Sequence, residues 1–389
     1  MPDLKPFFLL DPDVVFLNHG SYGACPRPVF DVYQDWQIRL ERQPVLFLGR
    51  ELDGLLYESR VRLGVFLGAR AEDLVYIPNA THGMNIVARS LSFEPGSEIL
   101  TTDHEYGACN YTLEQFSGKA GIKVVHQAVP LLPGSTTDDF VDCFWQGVTP
   151  HTKALFLSHI TSPTAVCFPV EQVCRRARQE GLLTIVDGAH APGQIPLDLA
   201  SMGVDIYFGN LHKWALAPKG AAFLYVRPEL QNLIEPVVVS WGFHATPEMT
   251  TGSRFIDYLQ WTGTKDPSAA LAVPAALQFM QDHNWGDVRH ECNIILSQAI
   301  KRIDEVTGLA PLNLQNPDPV LQMGIAALPG IRNLPALQKR LYREYRVEVP
   351  LIEWNGNQYI RVSIQGYNTL EDIDSLLNAL EKLLPLERL

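Results

Sequence analysis

No stretch of this 389-residue chain approaches the roughly 20 consecutive apolar residues that cross a bilayer, so no membrane span is expected. The opening residues, Met1-Pro2-Asp3-Leu4-Lys5-Pro6, lack the basic-then-apolar pattern of a secretory signal. The six cysteines, at 25, 109, 143, 167, 174 and 292, form no Cys-x-x-Cys pair. That pattern fits reduced thiols in a cytoplasm and not a disulfide framework. No cysteine follows Cys292. Charge is sparse, at 19% of residues, and the balance is −12 with a pI near 5.4. Such a balance argues against nucleic acid and anionic membrane surfaces as partners. Internal repeats and low-complexity tracts are missing too. Asp103, His104 and Glu105 are adjacent and lack the spacing of a convergent metal site, so no metal is expected.

What is present is a large apolar fraction, 46%, in a chain too long for one ordinary core. Two domains follow as the default. From residue 74 the pattern alternates short apolar runs with helical periodicity. Strands are expected at 74–77, 98–101, 122–126, 154–157, 182–186, 205–208 and 220–226, with helices at 81–91, 106–117 and 170–180. Such alternation implies a mostly parallel sheet covered on both faces. Helices are also expected at 28–42, 51–67, 267–282 and 288–306. The stretch 228–260 reads as irregular. The C-terminal part reads as α+β, with strands near 322–328, 347–351 and 359–363 and helices near 334–345 and 370–384. The expected division is an arm over 1–26, a large domain over 27–260 and a small domain over 261–389, with 27–48 packing on the small one.

The chemistry concentrates in two places. Ile185-Val186-Asp187-Gly188-Ala189-His190 is an apolar run that stops at an acid and turns on small residues. A buried parallel strand delivers a carboxylate in this way at its C-terminal end. About one strand later, Asn210-Leu211-His212-Lys213-Trp214 places a lysine after the next apolar run. A lysine and a carboxylate at one sheet edge are what pyridoxal phosphate requires: the lysine bonds covalently to it, and the acid keeps its pyridine nitrogen protonated. A lysine there needs a lowered pKa, which burial supplies. His190, three residues on, is a candidate to meet the cofactor's phenolate oxygen, with a structural histidine as the alternative. Asn79-Ala80-Thr81-His82 opens a helix after a strand, where outward amides and the Thr81 hydroxyl suit a phosphate. His104 and Tyr106 follow the strand 98–101, and either ring can stack on the pyridine. Arg361, flanked by apolar residues in a strand, needs a partner such as a substrate carboxylate.

On these residues the chain resembles the class V aminotransferase family of fold-type I pyridoxal phosphate enzymes, and within it the isopenicillin N epimerase branch. The likeness rests on Asp11–Ser21, Asn79–Thr81, Asp103–Tyr106, Ser158–Pro163, Asp187–Gly193, His212–Trp214, Ser240–Trp241, Gly263–Asp266 and Arg361–Ser363. It implies an α/β fold with a mostly parallel seven-stranded sheet and a smaller α+β C-terminal domain. It further implies that Lys213 carries the cofactor, that Asp187 meets its ring nitrogen and His190 its phenolate. Ala80, Thr81, His82, Asn210 and His212 would approach the phosphate, and Thr264 would reach the phosphate of a second subunit. The partner is then another copy of the chain, in a homodimer with shared sites. Asn18, His19 and Gly20 would line the substrate entrance, with Arg361 on the substrate carboxylate. Asn210 stands where related cysteine desulfurases have serine, and Ser162 where they have asparagine.

Desulfurases carry a nucleophilic cysteine on a C-terminal loop, and the absence of any cysteine after Cys292 disfavours that reaction. Epimerisation at Cα of an amino-acid-type substrate is the first expectation. It requires a second base beside Lys213, from Tyr106 or His104. C–S β-lysis of a cysteine-derived substrate and transamination are the alternatives.

Overall fold

The computed structural model describes residues 4–131, 136–244, 246, 250–312 and 320–387. Its centre is a seven-stranded sheet. In chain order the strands are β1 (Leu74–Ile77), β2 (Glu98–Thr102), β3 (Lys123–Gln127), β4 (Thr152–Ser158), β5 (Leu183–Asp187), β6 (Ile206–Asn210) and β7 (Ala222–Val226). The spatial order is β1-β7-β6-β5-β4-β2-β3, and β7 alone runs antiparallel to its neighbours. Strands β1, β2, β6 and β7 are buried at every position, which is why they read as unbroken apolar runs and not as alternations. Helices Ala80–Ser90, Gly107–Ala120 and Val170–Glu180 cover the faces.

The small sheet has strands β8 (Met323–Ala327), β9 (Leu351–Trp354) and β10 (Asn357–Ser363), in the antiparallel order β9-β10-β8. Helix Trp285–Thr307 packs against β8 and β10, and helix Leu370–Glu387 packs against that helix and against helix Leu334–Tyr345. The arm is tied to this unit: Val15 and Phe16 pair with Val347 and Glu348.

Several elements differ from the expectation. The helix expected at 267–282 is two, Ser268–Leu271 and Val273–Asp282, because Pro274 has no amide to continue the first. The stretch 228–260 contains helix Arg254–Gln260, whose N-cap is the Ser253 side chain accepting from the Ile256 amide. Between β3 and β4 stands helix Thr137–Trp145, for which no element was expected. Thr136 and Asp139 form its capping box, a legible signal ahead of Phe140, Val141, Phe144 and Trp145.

Candidate active site

The carboxyl ends of β1, β4, β5 and β6 open into one cavity of about 520 Å³, with Arg361 of β10 closing its far wall. Crevices at strand ends are where open α/β sheets bind ligands. Asp187 ends β5 beside Ser158, its register partner on β4. The next residue must be glycine, since a Cβ on Gly188 would lie 2.0 Å from the Tyr207 ring. Asp187 is buried, and burial raises its pKa. Its Oδ1 accepts from the Ala189 amide at 2.8 Å and its Oδ2 from the Cys109 thiol at 3.4 Å.

Lys213 follows β6 on a turn. Its Nζ lies 3.2 Å from His190 Nε2. Trp214 Nε1 donates to His190 Nδ1 at 3.2 Å. An indole N–H only donates, so the His190 proton sits on Nε2 and points at the lysine. Burial, then the Lys213 charge, hold the His190 pKa well below its ordinary value, so the ring is neutral. Burial and the Arg361 charge pull the Lys213 amine down to about 7, against an opposing pull from Asp187. A near-neutral amine of this kind is a nucleophile and a proton acceptor.

Arg361 is also buried, which lowers its pKa to about 10. Nη1 donates to the Ser162 backbone and side-chain oxygens, and Nη2 donates to Ser21 Oγ. Nε has no partner among the described residues. Arg361 lines the cavity, and a buried guanidinium with an unpartnered N–H is costly unless an anion offsets its charge.

The phosphate end differs in detail from the sequence expectation. The Ala80 amide is taken by Asn210 Oδ1 at 2.9 Å and the His82 amide by Asn79 Oδ1 at 2.9 Å. Both asparagines therefore cap the helix themselves, and Thr81 is left facing the cavity. His82 is half-buried and outside the cavity lining, whereas His212 lines it. His212 Nδ1 lies 3.2 Å from the Ala221 carbonyl, and burial lowers its pKa to about 4.

The structure separates the two aromatic candidates. Tyr106 lines the cavity and is 48% exposed at its mouth. His104 points away and is fully buried. Nδ1 is 2.7 Å from Thr164 Oγ1, Nε2 is 2.6 Å from the Val129 carbonyl, and the ring packs on Trp354 at 4.3 Å. It does not line this cavity, so a stacking or acid–base role here does not fit it. His19 is corrected likewise: it is fully buried beneath the lysine turn, not at an entrance. Asn18 is buried and bonded to Glu348, while Gly20 does line the cavity. Thr264 is exposed and outside this lining. Ser21, Tyr22, Cys109 and Lys219 line the cavity and were not singled out as site residues from sequence. For Lys219 a signal existed, a second lysine six residues beyond Lys213 in Pro218-Lys219-Gly220.

A lysine with a pKa near 7, a buried acid, Thr81 facing the cavity at a helix start and a buried guanidinium with one unpartnered N–H fit pyridoxal phosphate and an amino acid together. The fold and these residues define a pyridoxal-phosphate-dependent enzyme. Residues 31–376 match the family model "Aminotransferase class-V", and the chain belongs to that family. An isopenicillin N epimerase from Amycolatopsis lactamdurans is 35% identical, over 96% of this chain and 96% of the relative. A probable chloroplastic L-cysteine desulfhydrase from Arabidopsis thaliana is 27% identical, over 96% of this chain and 83% of the relative. Among solved structures, a cysteine desulfurase from Escherichia coli superposes with a TM-score of 0.81 over 98% of both chains. At 19% identity that likeness speaks for the fold alone.

Proposed function

We propose that this protein removes the Cα proton of an amino acid or amino-acid-derived substrate and returns it with inversion, as an epimerase. The observation that carries the reading is the convergence of Lys213, partly buried, with the buried Asp187 and Arg361 on one cavity. Pyridoxal phosphate, when bound, supplies an electron sink for the charge left at Cα. Asp187 would face its ring nitrogen, His190 Nε2–H its phenolate oxygen, and Thr81 with His212 its phosphate. Thr264 would reach across to a second copy, in a homodimer with shared sites. Arg361 would take the substrate carboxylate through Nε and an Nη, the fork that lysine lacks. Lys213 Nζ would accept the Cα proton on one face, and the Tyr106 hydroxyl would deliver one on the other.

One observation favours a second reading, β-elimination from a cysteine-derived substrate. Burial holds the Tyr106 phenol above its ordinary pKa, so it stays protonated and suits a departing thiolate. Relatives of both kinds, an epimerase and a desulfhydrase, are consistent with this pair of readings. Persulfide chemistry fits poorly. The Cys109 thiol is turned to Asp187 with its pKa raised by burial, and Cys292 is buried in a helix. The test is to incubate the holoenzyme with enantiopure amino acids and short peptides, then to measure chirality, pyruvate and sulfide. Inversion without pyruvate supports the epimerase. Pyruvate with released sulfur supports the lyase and overturns the first reading.

A further inference from the structure

We propose that His19 is a positioning residue that sets the reach of Lys213 from the place of the Arg361 strand. This inference rests on the reading of Lys213 as the lysine that bonds the cofactor. His19 Nε2 lies 3.0 Å from the Lys213 backbone oxygen, and Nδ1 lies 2.9 Å from the Tyr367 hydroxyl. A carbonyl oxygen only accepts, so the imidazole proton sits on Nε2 and Tyr367 donates to Nδ1. Gln365 Nε2 lies 3.3 Å from His19 Nε2, and with the proton on Nε2 both are donors, so this contact is not a hydrogen bond. The ring is fully buried and its pKa falls to about 3, so it stays neutral across the working range. A fixed tautomer in a dry site makes a directional tether and not a titrating group.

The tether joins the two ends of the substrate site. Tyr367 and Gln365 lie just beyond β10, the strand that carries Arg361. The Ser363 amide at the end of that strand donates to the Leu17 carbonyl at 3.0 Å. Ser21, two residues after His19, accepts from Arg361 Nη2 at 3.2 Å. Gly23 accepts from Lys219 Nζ at 2.9 Å, and a Cβ there would lie 2.0 Å from the His212 oxygen. Trp214 packs on the His19 ring at 4.9 Å. The segment 17–23 is therefore wedged between the guanidinium and the lysine turn, and His19 makes the direct bond to Lys213. An amino acid held by its carboxylate at one end and its amino group at the other needs that separation fixed, and small misplacements of reacting groups are costly.

The experiment uses the full-length apoprotein and pyridoxal phosphate as the probe. Covalent capture is followed by borohydride trapping and intact mass, over a pH series, with melting temperature measured alongside. His19→Ala is expected to slow capture by about tenfold to a hundredfold. His19→Gln, whose Nε2–H reaches a similar point, is expected to recover capture to within about threefold of wild type. A merely structural role predicts instead that capture follows melting temperature and that glutamine does not rescue it; that result overturns the proposal. If the alanine variant fails to fold, Tyr367→Phe decides, since it removes only the hydroxyl that fixes the tautomer. Slower capture with a moved pH midpoint supports the tether, and an unchanged profile overturns it. Wild-type protein that takes up no pyridoxal phosphate overturns the cofactor reading itself. Normal wild-type capture matched by His19→Ala overturns only the tether.

Discussion

At Lys213 the burial that makes the amine useful also makes it testable. Its pKa is pulled down to about 7, so the unprotonated form that bonds an aldehyde appears as pH rises through that value. Capture of pyridoxal phosphate by the apoprotein is expected to rise with pH and level off near pH 8. An ordinary lysine, with a pKa of about 10.4, would keep accelerating well beyond it. Stopped-flow absorbance across pH 5–10 distinguishes the two at about that resolution. Asp187→Asn is expected to keep the cofactor and lose about 3–4 kcal/mol of transition-state stabilisation, seen as a fall in turnover. Near wild-type turnover in that variant would remove Asp187 from its role. Tyr106→Phe keeps the ring and removes the proton. Under the epimerase reading it still exchanges the Cα proton of one enantiomer without inverting it, with a loss of about 10²–10⁴-fold in inversion. Mass and chiral analysis of the same sample read both. Lys213, Asp187 and Arg361 were legible in sequence because each is a charged residue beside buried apolar runs, which is costly without a purpose. His19 and His104 were not, because an imidazole reads alike in a cavity and in a core, and only their carbonyl partners tell them apart.

At the scale of elements, the site depends on turns that admit no side chain. Gly188 turns the chain after β5 against the Tyr207 ring. Gly188→Ala is expected to destabilise the protein by about 1–3 kcal/mol and to loosen cofactor binding, because the new methyl must displace a buried aromatic. Thermal melts with and without pyridoxal phosphate check this; an unchanged midpoint in both would contradict it. The strands were readable because they are short, apolar and evenly spaced. The helix start at Ala80 was readable in place but not in detail. Nothing in Asn79 or Asn210 as letters shows that their side chains already occupy two of the outward amides. Helix Thr137–Trp145 carries a legible signal in its capping box, and the break at Pro274 carries one in a missing amide donor.

At the scale of the molecule, the site is assembled from distant parts of the chain. Arg361 reaches the cavity from a sheet that follows the large one, and the arm reaches it from the N-terminal side. That convergence comes from tertiary packing, which local periodicity does not encode; the family likeness supplied it. Thr264, exposed here, fits the proposed role toward a second copy. The central claim is that Lys213 carries out Cα–H cleavage in this cavity. The most direct measurement is deuterium incorporation at Cα when the holoenzyme meets a panel of amino acids and short peptides in deuterated water. Exchange into at least one of them is expected, and its loss in Lys213→Ala. A protein fully loaded with pyridoxal phosphate that exchanges none, or a Lys213→Ala variant that exchanges as wild type does, would contradict it.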